Sequence, residues 1–275
     1  MVAAKKRKQR EQGSARSIRR GIYLLPNLFT TAAMFAGFFA MISAMDGRFQ
    51  AAGVAVLVAF LLDGVDGRVA RLTGTESEFG REYDSLSDLV SFGLAPAMIV
   101  YNWGLGVLGD EPWWWWIQIS WLVAFFFAVA AALRLARFNT RAGSSDKRFF
   151  QGLPSPSAAA CVAVGAWLLA SLDLQNAVML PFVYGMTVAV AALMVSNISY
   201  YSFKDLNLAG GRVPFTYVIA IPVLFILIAL APSKVLFAGF FLYALSGPVL
   251  SLWRRRRRAL KFANKEREGG GDHGG

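Results

Sequence analysis

Apolar residues run through this chain in blocks of roughly 18 to 22, each long enough to cross a bilayer core as a helix. Eight such blocks are read, at about 24–45, 50–71, 83–103, 114–136, 155–172, 178–199, 213–231 and 235–253. Breakers punctuate them. Pro112 precedes the fourth block, Pro154 and Pro156 open the fifth, and Gly210–Gly211 with Pro214 open the seventh. No long soluble domain fits between the blocks. The pattern predicts an all-α polytopic membrane bundle of about eight transmembrane helices. It occupies residues 24–253, between a basic tail at 1–23 and a basic, then Gly-rich, tail at 254–275. The end from Glu268 to Gly275 reads as a flexible coil. The first block follows a basic stretch, as a secretory signal does. It is too long, and too quickly followed by a second block, to be read as cleaved.

Composition agrees: 56% of the residues are hydrophobic and the mean hydropathy is +0.47, above the range of a soluble domain. The net charge of +11 would point to nucleic acid in a soluble protein. Its distribution points elsewhere. With eight spans, 26 of the 28 Lys and Arg residues fall on one side, and only Arg48 and Lys234 on the other. The positive-inside rule then places both termini in the cytoplasm, and no nucleic-acid partner is expected. Clusters such as Lys5–Arg10 and Arg254–Arg258 suit an anionic lipid surface. Trp113–Trp116 reads as an aromatic belt at the membrane interface. Cys161, the single cysteine, excludes an intrachain disulfide and reads as a small core residue.

Four carboxylates sit where charge is expensive: Asp63 and Asp66 in the second block, Asp84 and Asp88 at the start of the third. Each costs roughly 2.5–3.5 kcal/mol at the centre of a membrane helix, so a compensating cation is expected. Asp63, Asp66, Gly67 and Ala70 recur at helical spacing on one face. Asp84 and Asp88 share another, with Gly80 in the same row. A connection of about ten residues makes the two helices antiparallel neighbours, so the acidic faces can converge. Carboxylates without nearby His or Cys form a hard-oxygen site for Mg²⁺ or Mn²⁺. Gly67 and Ala70 leave room for a ligand or a second helix, and Arg71 is placed to pair with a phosphate. The run Asp63-Gly64-Val65-Asp66-Gly67 does not have the ligand spacing of a calcium loop. Spacing alone leaves both an enzyme and a cation pathway open.

The run Asp63-x-x-Asp66-Gly67-x-x-Ala70-Arg71, then Gly80-x-x-x-Asp84-x-x-x-Asp88, resembles the signature of the CDP-alcohol phosphatidyltransferases at all eight fixed residues. Finer runs resemble the membrane-embedded bacterial phosphatidylserine synthases, one branch of that family. They are Ser85–Pro96, Arg134–Asn139, Phe150–Pro156, Pro26–Thr30 and Ser199–Lys204, with Ser87 standing where that branch suggests Ala. The resemblance covers roughly residues 24–204 and leaves the last two helices without a motif.

The resemblance implies transfer of a phosphatidyl group from CDP-diacylglycerol to the hydroxyl of L-serine, with release of CMP. It implies Asp63, Asp66 and Asp84 as main metal ligands. Asp88 is implied as general base, with a possible share in a second metal. Asn27, Thr30, Gly67, Ala70, Arg71 and Gly80 are expected around the CDP-diacylglycerol, together with Asp63 and Asp66. Arg134 and Arg137 are candidates for the serine carboxylate or the transferred phosphate, a task suited to a guanidinium fork, or else simple interfacial anchors. Gln151, Ser155 and Lys204 are further candidates for the acceptor pocket. A homodimer in the bacterial inner membrane is also implied. The alternatives are a sister enzyme taking glycerol phosphate, inositol phosphate or choline, and a cation transporter. The phospholipase-D-like route to the same product needs catalytic histidines, and this chain has only His273, in the terminal tail.

Overall fold

The computed structural model describes residues 26–75, 77–108, 114–141, 149–201 and 215–269. Eight helices account for nearly all of them. In chain order they are α1 (Pro26–Met45), α2 (Phe49–Thr73), α3 (Glu78–Leu108), α4 (Trp114–Arg141), α5 (Ser155–Ser171), α6 (Leu180–Val195), α7 (Phe215–Leu230) and α8 (Pro232–Gly269). Six helices are long and apolar enough to span a membrane, while α5 and the Ile219–Leu230 part of α7 are shorter apolar helices. The chain is a multi-pass helical membrane protein, and its helices coincide with the eight apolar blocks.

The centre of the bundle is α5. Its run from Ala158 to Ala166 is buried throughout, and α2, α8, α3 and α6 pack around it. Small residues make this possible, because in lipid close backbone approach supplies the packing that hydrophobicity cannot. A side chain at Gly53 of α2 would press on the Ala163 carbonyl and Trp167, and one at Gly165 would press on Phe237 of α8 and Met186 of α6. Trp103, Phe92, Ile99 and Val100 of α3 complete the core with Phe127 of α4. Trp114 and Trp115 are exposed at the start of α4, as an interfacial belt requires. Cys161 is buried and free.

Three features depart from the sequence reading. The first concerns α3, which starts at Glu78, about a turn before the apolar block. The connection from α2 is only Gly74–Ser77, shorter than the ten residues expected. Gly74 closes α2 in the left-handed conformation at φ +62°, and the Ser77 side chain caps α3 by accepting from the Gly80 N–H at 3.0 Å. Hydropathy misses the first turns of α3 because they are polar. Second, α3 opens into a π-helical turn over Leu89–Leu94, with the Ala95 N–H bonded to the Val90 carbonyl. Pro96 follows at once. It donates no N–H and its ring crowds a carbonyl one turn back, which a widened turn accommodates. Third, α8 continues through Arg254–Arg258 to Gly269, so that much of the supposed basic tail is helical. Arg, Ala, Leu, Lys and Glu in that stretch all favour helix.

A short antiparallel ribbon was also not anticipated. Strand β1 (Phe149–Gln151) pairs with β2 (Ser199–Tyr201), placing Phe150 opposite Tyr200. The ribbon lies between the end of α4 and the end of α6. Gly152 follows it at φ +81°, where a β-carbon would fall 2.2 Å from the Met194 carbonyl oxygen. Lys204, the Gly210–Gly211 and Pro214 breakers, Pro112 and Trp113, and both chain ends lie outside the described residues.

Candidate functional site

The acidic residues lie on α2 and α3, at the pole of the bundle where the ends of α1, α4 and α5 also meet them. Asp63 and Asp66 lie on α2, within the last three turns. Asp84 and Asp88 lie on α3, which runs back in the opposite direction. The two faces do converge: one carboxylate oxygen each from Asp63, Asp66 and Asp84 lies within 4.8 Å of the others. Asp88, one turn deeper on α3, lies beside Asp63 and stands outside that trio. Like charges this close repel by about 3.5 kcal/mol or more per pair at an effective dielectric of about 20. A group of oxygens so placed fits a hard divalent cation, and the donor set contains no nitrogen or sulfur ligand.

Helix α1 supports the cluster. Asp66 is almost fully buried, at 4% exposure, and accepts a hydrogen bond from Thr30 Oγ1 at 2.9 Å. Thr30 also lies 3.1 Å from the Pro26 carbonyl. Two serine hydroxyls of α3 tie it to α1: Ser87 donates to the Thr30 carbonyl and Ser91 to the Ala33 carbonyl, each at 3.0 Å. The helices approach so closely that a β-carbon on Gly37 would fall 2.6 Å from Ser91 Cα. Thr31 and Tyr83 share a hydroxyl pair at 2.9 Å at the rim. The Asn27 side chain is next to Gly80, where a β-carbon would come within 3.7 Å of its Oδ1. Gly67 faces open space except for the Arg71 guanidinium, and Arg71 Nε donates to the Gly67 carbonyl at 2.7 Å. Ala70 lies one turn further on, partly buried. The residues expected on the donor side therefore gather around the polar C-terminal end of α2.

The acceptor candidates divide. Arg134 of α4 lies within electrostatic reach of Asp63 and Asp88. Its Nη1 donates to Ser155 Oγ at 2.6 Å, while its buried Nε has no hydrogen-bond partner among the described residues. Arg137, one turn later, binds the ribbon and the end of α6. It donates to Gln151 Oε1 at 2.8 Å, to the Val195 carbonyl at 3.2 Å, and to Asn197 Oδ1. Arg134 and Ser155 thus belong beside the carboxylates, whereas Arg137 and Gln151 form a separate clasp. Asn139 donates to Ser85 Oγ at 2.9 Å and joins α4 to α3.

The sequence reading did not pick out Tyr83, Asn197 or Tyr243 as site neighbours. Tyr243 of α8 lies within electrostatic reach of Arg134. Tyr243 sits inside an apolar run that carries no motif, so nothing in the sequence marks it.

The family model of the CDP-alcohol phosphatidyltransferases matches residues 23–198. The chain is similar to the CDP-diacylglycerol--serine O-phosphatidyltransferase of Helicobacter pylori, with 39% identity over 186 residues, or 68% of this chain and 75% of that protein. It is also similar to the enzyme of the same name from Mycobacterium leprae, with 36% identity over 146 residues, or 51% of this chain and 46% of that one. The archaetidylserine synthase of Methanothermobacter thermautotrophicus is 34% identical over 180 residues, covering 64% of this chain and 69% of the archaeal protein.

Proposed function

The chain belongs to the CDP-alcohol phosphatidyltransferase family, and from that premise we propose that it transfers the phosphatidyl group of CDP-diacylglycerol to the hydroxyl of L-serine, yielding phosphatidylserine and CMP. The observation that carries the reading is the convergence of Asp63, Asp66 and Asp84 within 4.8 Å, with Asp88 and Arg134 next to them. A cation pathway would account for the acids, but not for a guanidinium placed beside them with a buried N–H that has no partner among the described residues.

Asp63, Asp66 and Asp84 would hold Mg²⁺ or Mn²⁺, which when bound neutralises charge on the pyrophosphate of the donor. Asn27, Gly67, Ala70, Arg71 and Gly80 form the wall against which the cytidine diphosphate rests, and Arg71 pairs with a phosphate oxygen. Asp88 accepts the proton of the serine hydroxyl as its oxygen attacks the phosphatidyl phosphorus. A new P–O bond forms, the bridging P–O bond breaks, and CMP leaves with the bonding pair. Arg134 holds the serine carboxylate or the transferred phosphate through its Nε–H, with Ser155 fixing its other end. Arg137 and Gln151 shape the rim of the acceptor pocket from the ribbon side. Lys204 is assigned to the same rim from its sequence context.

The proposal further places the chain in a bacterial inner membrane as a homodimer, with both termini and the carboxylate pole cytoplasmic. The orientation rests on the one-sided distribution of Lys and Arg, and the homodimer and the bacterial membrane rest on the family resemblance.

The test is CMP release by the purified full-length protein given CDP-diacylglycerol and Mn²⁺, with serine, glycerol phosphate, inositol phosphate or choline in parallel. Release dependent on serine is expected. Release only with another acceptor would move the chain to a sister activity, and none with any acceptor would remove it from this chemistry.

A further inference from the structure

The last helix, α8, carries no motif of the signature, yet it reaches the acceptor side of the site. It packs along α5 and against β2. Its Gly247 makes a seat for Tyr200 of β2: a β-carbon there would fall 2.3 to 2.7 Å from the Tyr200 ring. Tyr200 is fully buried and donates its hydroxyl proton to the Ala244 carbonyl of α8 at 2.9 Å. That ring in turn lies against Tyr243, with centroids 5.7 Å apart. Tyr243 is within electrostatic reach of the Arg134 guanidinium, whose Nε has no hydrogen-bond partner among the described residues and whose Nη1 is taken by Ser155. Contacts therefore run from Gly247 through Tyr200 to Tyr243, and Tyr243 lies within electrostatic reach of Arg134, itself beside Asp63 and Asp88.

We propose that Tyr243 is a positioning residue for the acceptor: its phenol, held by Tyr200, aims the Arg134 guanidinium so that the Nε edge faces the anionic group of the incoming alcohol. The chemistry supports a phenol in this place. A guanidinium has five N–H donors and no acceptor, and a phenol oxygen can accept one of them without bringing a second negative charge to an already acidic site. A carboxylate in the same place would compete with the substrate's anion for Arg134. A ring locked between Tyr200 and α8 restricts the guanidinium more than a flexible side chain can.

The inference rests on the transferase reading above, and its test separates the two. Purified full-length Tyr243→Phe, Tyr200→Phe and Arg134→Lys, with the double variant Arg134→Lys/Tyr243→Phe, are assayed for CMP release at saturating CDP-diacylglycerol and Mn²⁺ while serine is varied. Tyr243→Phe is expected to raise the KM for serine about tenfold, the scale of one hydrogen bond to a charged group. Its kcat should stay within a factor of about two, and its KM for CDP-diacylglycerol should not move. Tyr200→Phe should shift the serine KM in the same direction by less. The double variant should be no worse than Arg134→Lys alone, because both changes act through one guanidinium. An unchanged serine KM in Tyr243→Phe, or a fall in kcat with both KM values fixed, would overturn the proposal and leave Tyr243 a packing residue. If the wild type uses another anionic acceptor instead of serine, the substrate reading fails, and the same KM shift toward that acceptor still decides the role of Tyr243. Should Tyr243→Phe not fold, a serine KM unmoved in Tyr200→Phe would count against it.

Discussion

Thr30→Val isolates one hydrogen bond in the site and keeps the side-chain shape. The Thr30 hydroxyl has a single proton and two acceptors, Asp66 Oδ2 at 2.9 Å and the Pro26 carbonyl at 3.1 Å. Asp66 is buried, so water cannot readily replace the lost donor. A hydrogen bond to a charged group contributes about 1.5–3 kcal/mol, and with the proton shared between two acceptors the lower figure applies. At about 1.4 kcal/mol per factor of ten, that is roughly a tenfold loss in the affinity of the carboxylate set for its cation. It also lies at the lower edge of the range for residues that orient metal ligands, about 10- to 100-fold. The assay is CMP release against Mn²⁺ concentration, at fixed CDP-diacylglycerol and serine. The half-saturating Mn²⁺ should rise about tenfold, while turnover at saturating Mn²⁺ recovers to near the wild-type value. The resemblance implies Thr30 at the nucleotide, and its bond to Asp66 points to an orienting role. A raised KM for CDP-diacylglycerol with an unmoved Mn²⁺ dependence would refute the orienting role and return Thr30 to the nucleotide.

Asp63→Asn, Asp66→Asn and Asp84→Asn should each nearly abolish activity, since each removes charge and geometry from one shared site; near-normal turnover in any variant excludes that residue from the set. Asp88→Asn should lower turnover by about 10²–10⁴-fold, as loss of a general base does. Its Mn²⁺-dependent nucleotide binding should be retained, and weakening equal to that of Asp84→Asn would make Asp88 a ligand instead. Gly37→Ala puts a β-carbon 2.6 Å from Ser91 Cα and should destabilise the protein by about 1–3 kcal/mol, measured as earlier thermal inactivation. An unshifted inactivation temperature would mean that α1 and α3 separate at no cost. Reporter fusions at Gly106 and Ser233 should read periplasmic and one at Ser144 cytoplasmic; a periplasmic signal at Ser144 overturns the orientation.

Helices were legible because the bilayer imposes a length. A run of about twenty apolar residues has few other uses, and α1, α2 and α4 follow their blocks closely. The first turns of α3 escaped because Glu78, Arg81 and Glu82 lower the local hydropathy, although Ser77 and Gly80 supply a good cap. The basic end of α8 escaped for the same reason. The π-helical turn left only Pro96 as a trace, and one proline does not say whether a helix kinks, ends or widens. The ribbon escaped because three-residue strands from segments about fifty residues apart have no periodicity to read. Within the site, the four aspartates were conspicuous because charge in an apolar run needs a reason. Their partners were not. The bonds from Thr30 to Asp66 and from Arg134 to Ser155 join residues on different helices, and only packing brings them together.

The division of the site between helices also bears on how one family can serve different alcohols. The carboxylates and the residues around the donor all fall on α1, α2 and α3, inside the segment matched by the family model, residues 23–198. A donor common to the family fixes the pyrophosphate, and the pyrophosphate fixes where its charges must be met. That wall cannot vary much without losing the reaction. The acceptor is what differs, and its side is built otherwise. Arg134 and Ser155 lie within the matched segment, but the tyrosine pair that bears on Arg134 lies beyond it, at Tyr200 and Tyr243. A last helix free to change its side chains could then re-aim one guanidinium for a different anion while the metal ligands on α2 and α3 stayed fixed. On this argument substitutions along the inner face of α8 should alter which acceptor is used before they alter use of CDP-diacylglycerol. Acceptor competition in α8 variants, scored against an unchanged KM for the donor, measures that directly. A donor KM that moves first would place α8 on the wrong side of the site.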